Sequence, residues 1–568
     1  MTAGRGARSS RAAWLVVGAA VALVLVLGLV EARRDSLTID EGPDLSSGLT
    51  ALVQRDARLT PEHPLGAKLV PSLTGLLARP VVPKGEGFRS GDWFAATEDF
   101  VRANQAAGRL DDLLWWSRVG SVGLTAVAAV LIFLLGRRLF GDLAGAVAAV
   151  AWSTVPYVIG VGHLAMIDVP FTVATLLVAL ALERGARRPG VVSAALMGAS
   201  AGVALSVRQA GLVFVPLSVA VVVWVARRDQ GADRRPPVLE LAVVLLLPLV
   251  VVWALYRGLA PQQPGGQAGE RLAGYVAAAR NESVVGRLVL ALPLPQEYRA
   301  GFAVFVVGSG PRPDFLLGRT AARHRWWSLP VSALLKLPPI VLLMLVAGPW
   351  WWRRAGVAAD ARARARVAVV APALLLVGLL VSQPLDLGLR VALPSLALGL
   401  VAAAPAASLL GRRLRVPVLG GLAAVQLATA VVAFPASLAW TPPPFRPGYR
   451  WVSGGNLDLD QDRGRLLRWA AGRPLRLALV TSRGVDRPAG MQPLVGVEPS
   501  SIRGWVAADA TSLTIFRSRE LAWLRAYCPV RTIGGTILVY RFDRPPSASP
   551  GPDAPARPCG DGARYSHR

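Results

Sequence analysis

Apolar residues in this chain form long runs that short polar stretches separate. Runs of about 18–22 residues are long enough to cross a bilayer as helices, whereas membrane-spanning strands would appear as short alternating segments. We therefore predict an all-α polytopic membrane domain over residues 1–440. The runs predict eleven spans, at approximately 13–31, 115–135, 142–160, 166–183, 190–207, 209–226, 237–256, 329–347, 366–382, 389–408 and 415–437.

The last part of the chain has a different pattern. A proline-rich stretch, "TPPPFRPGY", follows the last predicted span. After it, "LRLALVTS" and "GGTILVYRF" have the composition of strands, and "QDRGRLLRWAA" has the periodicity of an amphipathic helix. Residues 441–545 are therefore predicted to form a small α/β domain, and residues 546–568, rich in Pro, Ser and Ala, are predicted to be disordered.

Basic residues predict the side of the membrane that each loop faces. Arginines cluster after the second, fourth, sixth, eighth and tenth predicted spans, whereas the short loop 161–165 has no Lys or Arg. Because cytoplasmic loops carry an excess of these residues, the N-terminus is expected in the cytoplasm. The first span lacks a clean cleavage site and is interpreted as an uncleaved anchor. The long loops 32–114 and 257–328 and the α/β domain are then expected on the extracytoplasmic side of the cytoplasmic membrane.

Composition agrees with a membrane protein and excludes several other classes. Of the 568 residues, 53% are hydrophobic, and the net charge of +27 comes from clusters between apolar runs, so no nucleic-acid partner is expected. The chain has no zinc-ligand spacing, no phosphate-binding loop and no dinucleotide fingerprint, and its two cysteines make no metal cluster. The heavy use of Ala, Arg, Val and Gly is typical of a bacterial genome rich in G and C.

Ionisable residues lie in the outer loops and at the outer ends of the predicted spans. Such groups are costly near lipid and are candidates for function. A carboxylate can act as a general base toward a hydroxyl, and cations can hold a lipid-linked phosphate and stabilise it as a leaving group. Sugar transfer from a polyprenyl phosphate needs both. The candidates are Asp40, Glu41, His163, Asp168, Arg208, Lys336 and Arg390, together with Lys68.

Each candidate also has a structural interpretation. Asp40 and Glu41 fit solvated acids at the outer end of a span, and His163 fits a hydrogen-bonded residue between helices. Asp168 fits a helix cap, and both candidate arginines fit side chains that reach lipid headgroups. The chain has only three lysines, Lys68, Lys84 and Lys336. Because its other basic residues are arginines, this scarcity favours the interpretation that a lysine stands where a compact ammonium is required.

Eight stretches carry these polar residues and run in order from residue 38 to about 470: "IDEG", "EHPLGAKL", "HLAMIDVPFTVATLLVALALE", "GASAGVALSVRQAGLVFVP", "LPLPQEYRAGF", "FLLGRTAARHRWWSLPVSALLKLPP", "LDLGLRVALP" and "GGNLDLDQDRGRLLRW". They resemble the motifs of the GT-C class of integral membrane glycosyltransferases, nearest to protein O-mannosyltransferases and lipid A aminoarabinose transferases. The sequence departs from these motifs at Leu65 and Gly66 and has Arg208 for Lys, Ser328 for Tyr, Leu337 for Thr, Val391 for Tyr, and Leu459 and Asp460 for Trp and Gly.

The resemblance implies an inverting glycosyltransferase that moves a hexosyl or pentosyl group from a polyprenyl-phosphate-linked donor to a hydroxyl of a protein, lipid or glycan acceptor. It implies Asp40 as the catalytic base, and Glu41, His63 and Asp168 as groups that orient the acceptor or bind a divalent metal ion as a cofactor. On this assignment, removing the charge of Glu41 should lower sugar transfer less than removing the charge of Asp40. The implied ligands of the donor phosphate are Lys68, Arg208, Lys336 and Arg390.

Two other functions remain open on the sequence. A lipid or solute transporter would also carry polar residues among its spans, although transporters commonly show internal repeats and sites near the middle of the bilayer. A non-catalytic scaffold of the cell envelope would keep the same fold after losing its activity.

Overall fold

The computed structural model describes residues 2–60, 63–228, 237–280, 282, 284–308, 310–323, 325–383, 387–479, 484–485 and 490–546. Helices make up most of this part of the chain. The first eleven are α1 (Thr2–Arg34), α2 (Glu41–Val53), α3 (Leu65–Gly75), α4 (Glu86–Ser90), α5 (Trp93–Ala106), α6 (Leu110–Phe140), α7 (Asp142–Ser153), α8 (Pro156–Gly162), α9 (Asp168–Arg187), α10 (Val191–Val207) and α11 (Phe214–Arg228).

The second set of helices begins after the segment 229–236. They are α12 (Val238–Leu259), α13 (Gly266–Ala279), α14 (Val284–Ala291), α15 (Gln296–Gly308), α16 (Ser328–Lys336), α17 (Pro339–Ala347), α18 (Ala359–Ala365), α19 (Ala371–Ser382), α20 (Leu393–Ala403), α21 (Arg412–Ala433) and α22 (Arg463–Ala470). The strands are β1 (Asp314–Leu316), β2 (Arg319–Ala321), β3 (Leu475–Ala478), β4 (Met491–Pro493), β5 (Gly504–Asp509), β6 (Arg531–Ile533) and β7 (Ile537–Phe542).

The described residues contain eight continuous helices that are long and apolar enough to cross a membrane, and a ninth candidate bent by 66° between α7 and α8. The protein is therefore a multi-pass helical membrane protein with a small sheet near its C-terminus, which confirms the predicted fold class. The bend falls at Thr154 and Val155, directly before Pro156, because a residue that precedes proline disfavours helical backbone.

Besides the bent span 142–160, two more of the eleven predicted spans are short or broken. Helix α10 has 17 residues, about 26 Å at the helical rise of ~1.5 Å per residue, so it falls just short of the ~30 Å hydrocarbon core. The predicted span 329–347 is divided into α16 and α17 at Leu337 and Pro338. Leu337 adopts an extended backbone, as expected of a residue before proline.

Three spans form the centre of the bundle. Within the most apolar window of each, 61% of α6, 78% of α9 and 67% of the segment Leu389–Leu409 is buried, against 17% for both α12 and α21. The central helices carry small residues, and side chains of α9 and α20 share one core cluster with those of α6. The central bundle is therefore a rigid frame for the side chains at the start of α9 and in the turn before α20.

The tail of the chain forms a mixed five-stranded sheet in the order β4-β3-β5-β7-β6. Strand β3 is parallel to β4 and β5, and β7 is antiparallel to both β5 and β6. Helix α22 packs on the sheet through Leu466 and Ala470. The small α/β unit was predicted, and its boundary at residue 441 stays a prediction. The predicted disordered end lies, from residue 547 onward, outside the described residues.

Candidate active site

The Asp40 carboxylate lies in an ion pair with the guanidinium of Arg390. Asp40 directly precedes α2, and Arg390 lies in the short turn Leu389–Ala392 before α20. The Nε of Arg390 donates a hydrogen bond to the Leu387 carbonyl oxygen at 2.9 Å. The side chain of Asp40 is 37% exposed, whereas that of Arg390 is 12% exposed, so the acid is the accessible member of the pair.

A second acid–arginine pair lies next to the first. The Nη1 of Arg208 is 3.3 Å from Oδ1 of Asp168, and both side chains are largely buried. Asp168 is the first residue of α9, and the N-cap position belongs to Ile167. Arg390 interacts electrostatically with both Asp168 and Arg208. Four of the predicted site residues, from four distant segments, therefore form one cluster.

Glu41, the next residue in the chain after Asp40, is fully buried. Nε and Nη2 of Arg118 donate to its two carboxylate oxygens at 2.8 and 2.7 Å. The backbone N–H of Ala165 and both donors of Thr38 complete its shell. Burial by itself raises the pKa of the Glu41 carboxyl, but the charge of Arg118 and these hydrogen bonds lower it to about 2. Glu41 therefore fixes the connection between α1, α6 and α2.

Lys68 is likewise buried against its own loop. Its Nζ donates to Ser47 Oγ at 2.7 Å and lies 3.8 Å from Oδ1 of Asp44, and both partners belong to α2. His63 is half-buried and comes just before α3. Within the described ranges, no group of three or more His, Cys, Asp or Glu side chains is placed to hold a metal ion. The implied set of Glu41, His63 and Asp168 does not form such a group.

Lys336 lies at the end of α16 and is fully buried. Its ammonium donates hydrogen bonds to the carbonyl oxygens of Leu438 and Trp440, just beyond the last span. It also lies over the Tyr157 ring, 5.4 Å from the centroid. These contacts all lie within the protein, and they tie Lys336 to the chain that leaves the membrane.

His163 is hydrogen-bonded between helices, as its structural interpretation predicted. Its two ring nitrogens lie 3.0 Å from Oδ2 of Asp35 and from the carbonyl oxygen of Ile159. Asp35 is also paired with Arg465 of α22 at 2.6 Å. This buried chain of contacts joins the end of α1 to the tail unit.

The sequence interpretation missed Arg118 and Tyr157. Arg118 was detectable, because it is an ionisable residue inside a predicted apolar span. Tyr157 has no such signal in the sequence. Its hydroxyl donates to the Gly455 carbonyl oxygen at 2.6 Å, and it interacts electrostatically with Arg390.

Residues 110–256, about a quarter of the chain, match the family described as dolichyl-phosphate-mannose-protein mannosyltransferase. The matched region contains Arg118, Tyr157, Asp168 and Arg208, and the match confirms the resemblance to membrane glycosyltransferases over that part of the chain. No curated protein matches this chain in sequence.

Solved structures show only distant likeness. The apo oligosaccharyltransferase of Archaeoglobus fulgidus is 13% identical with a TM-score of 0.42, covering 77% of this chain and 57% of that protein. The same shares and identity, with a TM-score of 0.40, apply to the archaeal oligosaccharyltransferase AglB with an inhibitory peptide and a dolichol-phosphate. ArnT from Cupriavidus metallidurans bound to undecaprenyl phosphate is 15% identical with a TM-score of 0.30, covering 93% and 98%. Such low scores add nothing to the assignment of the site.

Proposed function

We propose that this chain is an inverting glycosyltransferase, which moves a sugar from a polyprenyl-phosphate carrier to an acceptor hydroxyl at the extracytoplasmic face of the cytoplasmic membrane. The observation that carries the proposal is the cluster of Asp40 with Arg390 and Asp168 with Arg208. It combines an accessible carboxylate, which can accept a proton, with two guanidinium groups, which bind phosphate well. The family match over residues 110–256 supports the same class of reaction.

The chemical step needs one proton acceptor and one stabilised leaving group. Asp40 takes the proton of the acceptor hydroxyl while the hydroxyl oxygen forms a bond to the anomeric carbon of the sugar. The bond from that carbon to the phosphate oxygen breaks, and its electron pair leaves with the polyprenyl phosphate. Arg390 and Arg208 stabilise the charge that develops on the phosphate. Attack from the face opposite the phosphate inverts the anomeric configuration.

The ion pair between Asp40 and Arg390 gives the reaction an order. Carboxylate and phosphate oxygens are alternative ligands of the same guanidinium. The donor phosphate takes the place of Asp40 on Arg390, and the exposed carboxylate then turns to the acceptor. Under this proposal Glu41, Lys68 and Lys336 support the site through their buried contacts, and the donor is held by the two arginines.

The exchange predicts the effect of removing Arg390. A charge-assisted hydrogen bond contributes on the order of 1.5–3 kcal/mol, so Arg390→Ala should weaken binding of undecaprenyl phosphate by roughly tenfold or more. The protein should still fold, because Asp40 is exposed enough for water to solvate it. Arg102→Ala, which breaks an exposed pair with Glu98, is the control. If both purified variants bound undecaprenyl phosphate equally well, Arg390 would not be a ligand of the donor phosphate.

The proposed sidedness can be tested by thiol labelling in a variant without Cys528 and Cys559. Glu86→Cys lies in the first outer loop, and Arg188→Cys lies in the basic loop after α9, and both positions are exposed. We expect a membrane-impermeant reagent to label the first in intact cells and the second only after permeabilisation. Labelling of both positions in intact cells would overturn the orientation and the extracytoplasmic site.

One reconstitution separates the proposed transferase from its alternatives. Purified protein would be incubated in vesicles with undecaprenyl-phosphate sugars and candidate acceptors. A transferase makes a new glycosidic bond and releases undecaprenyl phosphate. A transporter moves the lipid or solute across the bilayer without a new bond, and a scaffold binds without either change.

A further inference from the structure

The segment that follows the last span supplies no group to the proposed chemical step. It contains residues 453–462, "SGGNLDLDQD", which we call the linking segment. It leads from the membrane domain into α22 and the sheet of the tail. All of its polar side chains in the described structure are buried, namely Ser453, Asn456, Asp458, Asp460, Gln461 and Asp462.

One end of the linking segment holds the turn that carries Arg390. The Asn456 side chain accepts a hydrogen bond from the Leu389 N–H at 2.8 Å and donates one to Ser332 Oγ at 3.3 Å. Because Leu389 directly precedes Arg390, the Asn456 amide fixes the backbone from which the guanidinium extends.

Two glycines make this contact close enough. Gly388 has φ +79°, and a Cβ placed there would lie 2.5 Å from the Gly455 carbonyl carbon. A Cβ on Gly455 would lie 2.4 Å from the Leu387 carbonyl oxygen and 3.3 Å from Nε of Arg390. The backbones of the turn and of the linking segment are therefore in direct contact beside the guanidinium.

The other end of the linking segment holds the approach to Asp40. The Ile39 N–H donates to the Leu459 carbonyl oxygen at 3.1 Å, and the Ser36 N–H donates to the Gln461 carbonyl oxygen at 2.9 Å. Between Leu459 and Gln461, Asp460 adopts a left-handed backbone, with φ +74°. It occupies the position where the motif that this stretch resembles has glycine, and Asp tolerates this conformation better than most residues.

The tail sheet secures the linking segment in turn. Thr511 follows β5, and its hydroxyl accepts from the Gly454 N–H at 3.2 Å and pairs with Ser453 Oγ at 3.3 Å. The Thr511 N–H donates to Asp458 Oδ2 at 3.2 Å. The contacts therefore run from the sheet through the linking segment to both members of the Asp40–Arg390 pair.

We propose that the linking segment sets the distance between the base and the phosphate ligand, with Asn456 as the positioning residue for Arg390. The inference rests on the proposed function and assigns the tail a share in the site. Small displacements of reacting groups cost rate steeply, on the order of 10²-fold for about 1 Å. Asn456→Ala should therefore lower transfer by ~10-fold to 10²-fold and weaken binding of undecaprenyl phosphate.

The matched control is Asn104→Ala. Asn104 is also fully buried, and its amide makes three hydrogen bonds, to the N–H and carbonyl of Val81 and to the Phe100 carbonyl, far in sequence from the cluster. We expect this variant to lose thermal stability while it keeps undecaprenyl-phosphate affinity. If Asn456→Ala fails to fold, Thr511→Val tests the same connection from the tail side, because it removes the hydroxyl at nearly constant shape.

A double-mutant cycle decides between positioning and general stability. Undecaprenyl-phosphate affinity would be measured for Asn456→Ala, Arg390→Ala and the double variant. If Asn456 acts through Arg390, the loss from Arg390→Ala should be clearly smaller in the Asn456→Ala background. Losses that simply multiply would overturn the positioning role and leave the proposed function intact. No loss from Arg390→Ala alone would instead overturn the proposed donor site.

Discussion

Asp40→Asn should lower sugar transfer by about 10²–10⁴-fold, the usual cost of losing general-base assistance. The amide has the shape of the acid but cannot take the proton of the acceptor. The same substitution should leave binding of undecaprenyl phosphate unchanged or make it tighter, because an amide cannot hold Arg390 in the ion pair that the donor must displace. Transfer and binding would be measured on purified protein whose folding is verified by gel filtration in detergent.

Glu98→Gln is a suitable control for this experiment. Glu98 lies in the same outer loop, has a side chain that is also 37% exposed and pairs with Arg102 at 3.6 Å. The loss of the Glu98 charge should leave sugar transfer and binding of undecaprenyl phosphate unchanged. Full transfer by Asp40→Asn would refute the mechanism, and weaker donor binding would refute the exchange of partners at Arg390.

Glu41→Gln should have its main effect on the folded state. The substitution leaves Arg118, which is fully buried, without its counter-charge. Breaking one partner of a buried pair costs about 3–5 kcal/mol, a large fraction of the stability of most proteins. We expect a marked fall in the thermal unfolding temperature and in the yield of monodisperse protein. The sequence predicted a smaller loss of sugar transfer for Glu41→Gln than for Asp40→Asn, and the contact with Arg118 adds a loss of stability that the sequence did not predict.

Glu86→Gln provides the comparison for Glu41→Gln. Glu86 also pairs with an arginine, but the two side chains are 71% and 63% exposed, and such surface pairs contribute about 0–1 kcal/mol. Its unfolding temperature should stay near that of the wild type. Equal unfolding temperatures for Glu41→Gln and Glu86→Gln would show that the Arg118 contact does not stabilise the protein.

The spans were predictable because length and hydropathy alone decide whether a helix can cross a bilayer. Each predicted apolar segment lies largely on helix in the structure. The breaks before Pro156 and at Pro338 had a local signal, since proline restricts the residue before it, but a run of apolar residues conceals a break in the helix. The α/β character of the tail followed from its change of period, whereas its strand order depends on contacts that the local pattern does not contain.

The site was only partly predictable for a different reason. An acid at the outer end of a span has the same local sequence whether it faces a substrate or a buried arginine. Asp40 and Glu41 are neighbours in the chain, yet one is accessible and the other is enclosed by Arg118. Lys336 was selected as a rare lysine, and its partners, the carbonyl groups of Leu438 and Trp440, are about a hundred residues away and have no side-chain signature.

The separation of 350 residues between Asp40 and Arg390 has a consequence for biosynthesis. At about 5–20 residues per second, a ribosome needs roughly 20–70 s to make the chain between them. Glu41 meets Arg118 only 77 residues later, so the first outer loop can be secured early while its neighbouring acid still waits for a partner. On the proposed mechanism, a nascent chain would present Asp40 and Arg208 before Arg390, the second ligand of the donor phosphate, has been made. Transfer would therefore begin only after Arg390 and the linking segment have emerged and packed against the first outer loop.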